Sequence, residues 1–174
     1  GSDSVLRRMS RRCKTAEFTA LVEKARAAVA DFNITTDIIV GFPGESNQEW
    51  DQTLKYVEDT TFGNIHIFSY SPRKGTKAAT MQGQVDIENK KYRNRQLHQL
   101  ASKLRIEALR KMVGRESNVL WEHPLESNGT LWVGYTTHYH RVISPLEGRD
   151  ISLTNIHKTL LTDISDDSRF LIGR

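Results

Sequence analysis

Nine residues, Asp37-Ile-Ile-Val-Gly-Phe-Pro-Gly-Glu45, combine the ingredients of a small-molecule site. A carboxylate stands in an apolar run, and two glycines, a proline and a second carboxylate follow it. Glycine lets backbone approach a ligand closely and lets the chain turn sharply. A carboxylate among apolar residues needs partners, and the hydroxyls of a ribose are suitable ones. Ile34 to Val40 has the pattern of a strand. In parallel α/β sheets, ligands bind at the carboxyl ends of strands, where Gly41–Glu45 belongs. The alternative is an ordinary strand-to-helix turn with an internally satisfied aspartate. Spacing alone leaves both open.

Tyr70 to Ala79, Y-S-P-R-K-G-T-K-A-A, places another glycine-containing loop after a strand. Its Arg73, with Lys74 beside it, is a candidate for an anion or a nucleic-acid phosphate, and equally a solvent-exposed turn. Arg7, Arg8, Arg11 and Arg12 cluster near the start. Arg11 can reach inward to a carboxylate, or all four can face solvent. Gly134 to Val142, G-Y-T-T-H-Y-H-R-V, interleaves Tyr135 and Tyr139 with histidines and Arg141. Such a surface stacks bases and tracks phosphates; the other possibility is a barrel rim with its tyrosines packed as core. His123, His138, His140 and His157 lack a metal-ligand spacing, and no metal site is expected. His138 and His140 on a strand would share a face. Cys13 has no partner and is expected to be structural or incidental.

The elements that must position these residues are legible from periodicity. Residues 2–12 predict a short helix with Val5, Leu6 and Met9 as one stripe. Thr15 is expected to cap a second helix carrying Phe18, Leu21, Val22, Ala25, Ala28 and Val29. The strand Ile34–Val40, a helix over Asn47–Thr60 and a strand Ile65–Tyr70 follow. Both strands look apolar on both faces, as in a covered parallel sheet. Residues 71–85 form a polar loop. Asp86 is expected to cap a long helix to about Met112, with Leu97, Leu100, Leu104 and Leu109 on one side and basic residues elsewhere. Beyond Gly114 come five short strand-like runs, at Val119–Trp121, Leu131–Val133, Arg141–Ile143, Lys158–Leu161 and Phe170–Ile172. A turn at Ser127-Asn128-Gly129 separates two of them. This pattern suggests a small β-barrel. The expected organisation is two domains, 1–112 and 113–174. Two parallel strands cannot cover both of their faces, so the chain is expected to be the back end of a longer protein.

The 174 residues are 37% hydrophobic and carry a net charge of +4. Residues 1–113 hold 19 basic against 13 acidic side chains, and the remainder 6 against 8. The basic stretch marks either a polyanion partner or a solvated helix face. No apolar run approaches the ~20 residues of a membrane span. One cysteine allows no internal disulfide and no cysteine metal cage, and reducing, cytoplasmic conditions fit best. Nothing in the sequence fixes the oligomeric state.

Together these segments resemble the radical S-adenosylmethionine methylthiotransferases. G-S-D-S-V-L-R-R-M-S-R-R is similar to the family stretch that begins Gln-Ser-Gly and runs through Leu-x-x-Met-x-Arg-Arg. T-T-D-I-I-V-G-F-P-G-E and F-S-Y-S-P-R-K-G-T-K-A-A match two further family segments almost residue for residue. The C-terminal part resembles the family's RNA-binding TRAM domain. G-Y-T-T-H-Y-H-R-V looks most like the branch acting on threonylcarbamoyladenosine beside the tRNA anticodon. The isopentenyladenosine branch tends to carry an Asn-rich version there. The branch that modifies a ribosomal-protein aspartate has an acidic, Pro-containing one.

The resemblance implies the C-terminal portion of a radical S-adenosylmethionine partial (β/α) barrel, followed by a TRAM barrel. It implies that Asp37 holds the ribose of S-adenosylmethionine and that Ile39 lines the adenine. Arg11 would pair with the methionine carboxylate, a charge-assisted contact. Gly41 and Gly44 would permit close packing, Glu45 would follow in the loop, and Tyr70 and Ser71 would end the next strand beside the adenine. Arg73, Lys74, Tyr135, Tyr139 and Arg141 would meet the anticodon stem-loop of tRNA. The implied reaction cleaves S-adenosylmethionine to a 5′-deoxyadenosyl radical and installs a methylthio group at C2 of the modified adenine. The family does this with two 4Fe–4S clusters on cysteine thiolates. This chain lacks those cysteines, so it is expected to be inactive alone while the full-length protein is the enzyme. The rivals are an isopentenyladenosine methylthiotransferase, a non-catalytic RNA-binding module, and a radical S-adenosylmethionine enzyme acting on another substrate such as a porphyrin.

Overall fold

A computed structural model describes residues 1–125, 130–145 and 156–174. The chain divides into two compact units, Gly1–Leu104 and Arg105–Arg174. The turn expected at Ser127-Asn128-Gly129 lies outside the described residues.

The first unit runs α1 (Asp3–Arg8), α2 (Thr15–Ala28), β1 (Thr35–Val40), α3 (Asn47–Thr60), β2 (Asn64–Ser69) and most of α4 (Ile87–Arg110). The helix predicted over residues 2–12 stops four residues early. Ser10 turns left-handed at φ 58°. Its N–H donates to Arg7 O, and the Arg11 N–H donates to Leu6 O, a two-bond closure that satisfies the last carbonyls. Thr15 does not cap α2. It is the first helical residue, and its N–H donates to Asp3 Oδ1 at 2.9 Å. This bond holds the Asp3 carboxyl below its ordinary pKa. Within the polar 71–85 loop, Lys77–Thr80 forms a short 3-10 turn that the sequence did not announce.

β1 and β2 pair in parallel through α3, in the register Thr35↔Asn64 to Val40↔Ser69. The register places Asp37 beside His66 and Ile39 beside Phe68. One face of this sheet packs on the helices. Val22, Ile34, Val40, Trp50, Val57, Phe62, Ile65, Leu97 and Leu104 form that core. Among the described residues nothing covers the second face, as expected of two parallel strands by themselves. On the second face Ile39 is 36% and Phe68 53% exposed, and Asp37 and His66 are exposed with them.

α1 is tied to α3 through one carboxylate. Ser46 and Glu49 form a reciprocal capping box at the start of α3. Glu49 also accepts from Arg8 Nη2 at 2.6 Å and from Ser4 Oγ. The Arg8 bond leads the causes that lower the Glu49 pKa from 4.5 to about 2. A depressed carboxylate stabilises the fold above its unfolded pKa and ceases to do so as pH falls through the folded one. Glu49→Gln is therefore expected to cost about 2 kcal/mol at pH 7, the scale of losing charge-assisted hydrogen bonds. The gap from wild type should close between about pH 4.5 and pH 2. Urea unfolding at a series of pH values checks this, and a gap that is the same at pH 7 and pH 3 would contradict it.

The second unit contains the last turn of α4 and five strands: β3 (Glu116–Pro124), β4 (Leu131–Thr136), β5 (Arg141–Pro145), β6 (Ile156–Ile164) and β7 (Leu171–Gly173). They close into a barrel in the order β3-β4-β5-β7-β6, as the five short runs predicted. Irregularities at Trp121/His123 and Leu161/Asp163 bend β3 and β6, which is how short strands curl into closure. Leu109, Met112, Val119, Trp121, Val142, Leu161 and Leu171 fill the interior. Gly134 makes room for the indole: a Cβ there would meet Trp121 Cε3 at 2.8 Å and Leu120 O at 2.7 Å.

Candidate functional site

The first candidate site follows from the exposed face and edge of β1. Asp37 is not the buried acid that its apolar neighbours suggested. Its side chain stands on the open sheet face next to Ile39, His66 and Phe68. The reason is that Ile38 and Val40 take the core side of the strand while Asp37 and Ile39 alternate away. A carboxylate beside two apolar side chains suits a ligand with hydroxyls at one end and a flat apolar ring at the other. A cavity of about 180 Å3 adjoins this edge on its helix side, where Val5, Phe18, Ile38, Tyr56 and Val57 line it together with Asp37, Ile39 and Glu45.

Gly41 and Gly44 have φ of +74° and +78°, a region that glycine enters without steric cost. Their bareness is used first by the chain itself. A Cβ on Gly41 would meet Lys90 Cγ at 2.5 Å, and the Gly44 N–H donates to Gly83 O at 2.8 Å. Glu45 turns inward. Its Oε2 accepts the Gly41 N–H at 2.9 Å and Arg93 Nη1 at 2.8 Å, with both charged side chains buried. Burial raises the Glu45 pKa, against the pull of the Gly41 N–H and of Arg93. Tyr70 continues from β2, and its N–H donates to Val40 O at 2.8 Å. Its ring meets Phe42 edge-on, and Lys90 Nζ lies 5.3 Å from its centroid. Ser71 follows, exposed.

Asp37, Ile39 and Glu45 are thus brought to one cavity. Gly41, Gly44, Tyr70 and Ser71 belong to the loops at the carboxyl end of the sheet. Arg11 is exposed beyond α1 and does not line the cavity. Of the four clustered arginines, Arg8 is the one that reaches inward, to Glu49. Sequence reasoning missed Lys90, Arg93 and Phe68. Arg93 had a signal: with Leu97, Leu100 and Leu104 it falls on the apolar stripe of α4, where a charge needs a buried partner.

The second candidate site lies on the barrel. Cross-strand register aligns Ile156, Leu120, Tyr135 and Arg141 in one row across β6, β3, β4 and β5. Ile156 and Leu120 are exposed. Tyr139 sits in the β4–β5 turn, left-handed at φ 63° and 79% exposed, with its ring centroid 5.8 Å from that of Tyr135. It is not core. Arg141 is half-buried, its guanidinium 4.6 Å from the Phe170 ring centroid. His138 and His140 do not share a strand face: both lie in the turn, one half-buried and one buried. Arg73 and Lys74 are exposed in the first unit, in the loop after β2. Among the described residues no group of three or more His, Cys, Asp or Glu is placed to hold a metal. No helix there is long and apolar enough to cross a membrane.

No family model matches the chain. Known proteins do. The chain is 45% identical over 122 residues, 70% of its length, to a threonylcarbamoyladenosine tRNA methylthiotransferase of Thermotoga maritima. It is 42% identical over 121 residues to a tRNA-2-methylthio-N(6)-dimethylallyladenosine synthase of Endomicrobium trichonymphae. It is 38% identical over 172 residues, 94% of its length, to the Yersinia pestis protein of the latter name. It spans 28%, 29% and 36% of those three relatives.

Proposed function

We propose, from its homology to one segment of the tRNA methylthiotransferases, that this chain is the C-terminal portion of a radical S-adenosylmethionine enzyme. That enzyme adds a methylthio group to C2 of N6-threonylcarbamoyladenosine next to the tRNA anticodon. The observation that carries the proposal is the agreement of homology with position. The segments that carry the family resemblance, Thr35–Glu45 and Phe68–Ala79, include residues of the open sheet face and its two loops.

The residues present fit S-adenosylmethionine. When bound, it would supply a methyl group and the sulfonium C5′–S bond whose one-electron reductive cleavage starts radical chemistry. Asp37 has a solvent-facing carboxylate to accept from ribose hydroxyls. Ile39 and Phe68 offer exposed apolar surface to a purine. Gly41 and Gly44 let the loop backbone take its left-handed turns, and Tyr70 and Ser71 border it. Arg11 is exposed and able to turn toward a carboxylate. The residues do not fit a 4Fe–4S cluster, which takes several cysteine thiolates, since Cys13 is the sole cysteine of the chain. In this reading the family's clusters are held by residues other than these.

For the second unit we assign the TRAM role, with Tyr139 and Tyr135 as a stacking platform for unpaired bases. Arg141 supports the platform from its contact with Phe170. Arg73, Lys74 and the basic face of α4 meet phosphates, which carry most of such affinity. A second proposal has one observation in its favour. Two of the three relatives named above are dimethylallyladenosine synthases, so the isopentenyl substrate is the runner-up.

Asp37→Ala in the full-length protein is expected to weaken S-adenosylmethionine binding by about 1–3 kcal/mol, the scale of losing hydrogen bonds to a charged group. Anaerobic calorimetry reads this directly. Unchanged affinity would remove Asp37 from the site.

A further inference from the structure

The Gly41–Glu45 loop is held from one side by α4 and the segment before it. Arg93 is 4% exposed. Its Nη1 donates to Glu45 Oε2 at 2.8 Å and to Glu45 O at 3.1 Å, and its Nη2 donates to Asn47 Oδ1 at 2.9 Å. Its guanidinium carbon lies 5.8 Å from the Trp50 ring centroid. One guanidinium thereby fixes the last residue of the loop and the first residue of α3. The same Glu45 oxygen holds the Gly41 N–H, so the carboxylate spans the loop from end to end. One turn earlier on α4, the Lys90 stem covers Gly41 and its Nζ donates to Tyr70 O at 3.3 Å.

We infer that Arg93 is a positioning residue: through Glu45 it sets the conformation of the Gly41–Glu45 backbone that the cofactor meets. Arg93 is not among the residues lining the cavity, and it acts only through Glu45 and Asn47. A planar fork with two nitrogens aimed at different acceptors is a geometry that lysine cannot copy. The inference rests on the proposal that this loop walls the S-adenosylmethionine site, and its test separates the two.

The full-length protein, its Arg93→Lys variant and its Arg93→Met/Glu45→Leu variant are compared in two measurements. Amide hydrogen–deuterium exchange is followed over residues 41–46, without ligand. S-adenosylmethionine is titrated calorimetrically. Arg93→Lys is expected to speed exchange in the loop about tenfold and to weaken the titrated affinity about tenfold, while β1 and α3 keep their protection. The double variant replaces a buried ion pair with apolar groups, so it is expected to melt near wild type and still show the fast loop and weak affinity. Wild-type loop exchange in Arg93→Lys, or in the double variant should the first not fold, would overturn the role of Arg93. A wild-type protein that binds no S-adenosylmethionine would overturn the cofactor proposal, and the exchange data would still decide on Arg93.

Discussion

Trp121→Ala is expected to destabilise the barrel unit by about 3–5 kcal/mol, the range for removing a large aromatic side chain from a packed interior. Trp121 is 1% exposed. It sits among Val119, Val142, Leu161 and Leu171, and Gly134 is bare to admit it. A barrel of five short strands has no second core to compensate. Among the described residues the indole Nε1 has no hydrogen-bond partner, and an unsatisfied buried donor costs about 1–3 kcal/mol. Trp121→Phe, which removes that N–H and keeps most of the ring volume, is therefore expected to be far milder. Urea unfolding followed by circular dichroism measures both. Equal losses in the two variants would contradict the packing account.

Glu45→Ala is expected to cost about 3–5 kcal/mol, because it leaves Arg93 as an uncompensated buried charge. It also orphans the Gly41 N–H, whose acceptor is Glu45 Oε2. The comparison is Lys55→Ala, which breaks the exposed Lys55–Asp59 pair of α3. Exposed pairs are worth about 0–1 kcal/mol. The same unfolding experiment checks the contrast, and a Glu45→Ala loss no greater than that of Lys55→Ala would contradict it.

Much of the architecture was legible because each element obeys one period. The helix read from Trp50, Leu54 and Val57 is α3 with its predicted bounds, and the five apolar runs after Gly114 are the five barrel strands. Asp86 caps α4 as expected, its carboxylate accepting the Asn89 N–H at 2.8 Å. The misses have tertiary causes. α1 ends at Arg8 because Ser10 takes a left-handed turn, and serine gives no local signal for that. The apolar neighbours of Asp37 suggest a buried acid, but whether a strand face is covered depends on what packs there. Glu45 was legible as part of a loop and not as a buried ion-pair partner, since Arg93 stands 48 residues away. The clearest overlooked clue was Arg93 itself, one charge on the leucine stripe of α4.

Homology to tRNA methylthiotransferases carries the central proposal, that the full-length protein methylthiolates tRNA, and we assign threonylcarbamoyladenosine as the nucleoside it acts on. Mass spectrometry of tRNA nucleosides from cells lacking the full gene tests it most directly. The claim predicts loss of the 2-methylthio form of threonylcarbamoyladenosine with accumulation of its unmethylthiolated precursor. Loss of the methylthio group from the isopentenyl derivative instead would keep the family and move the substrate to the runner-up. Both methylthio nucleosides at wild-type levels would contradict the claim.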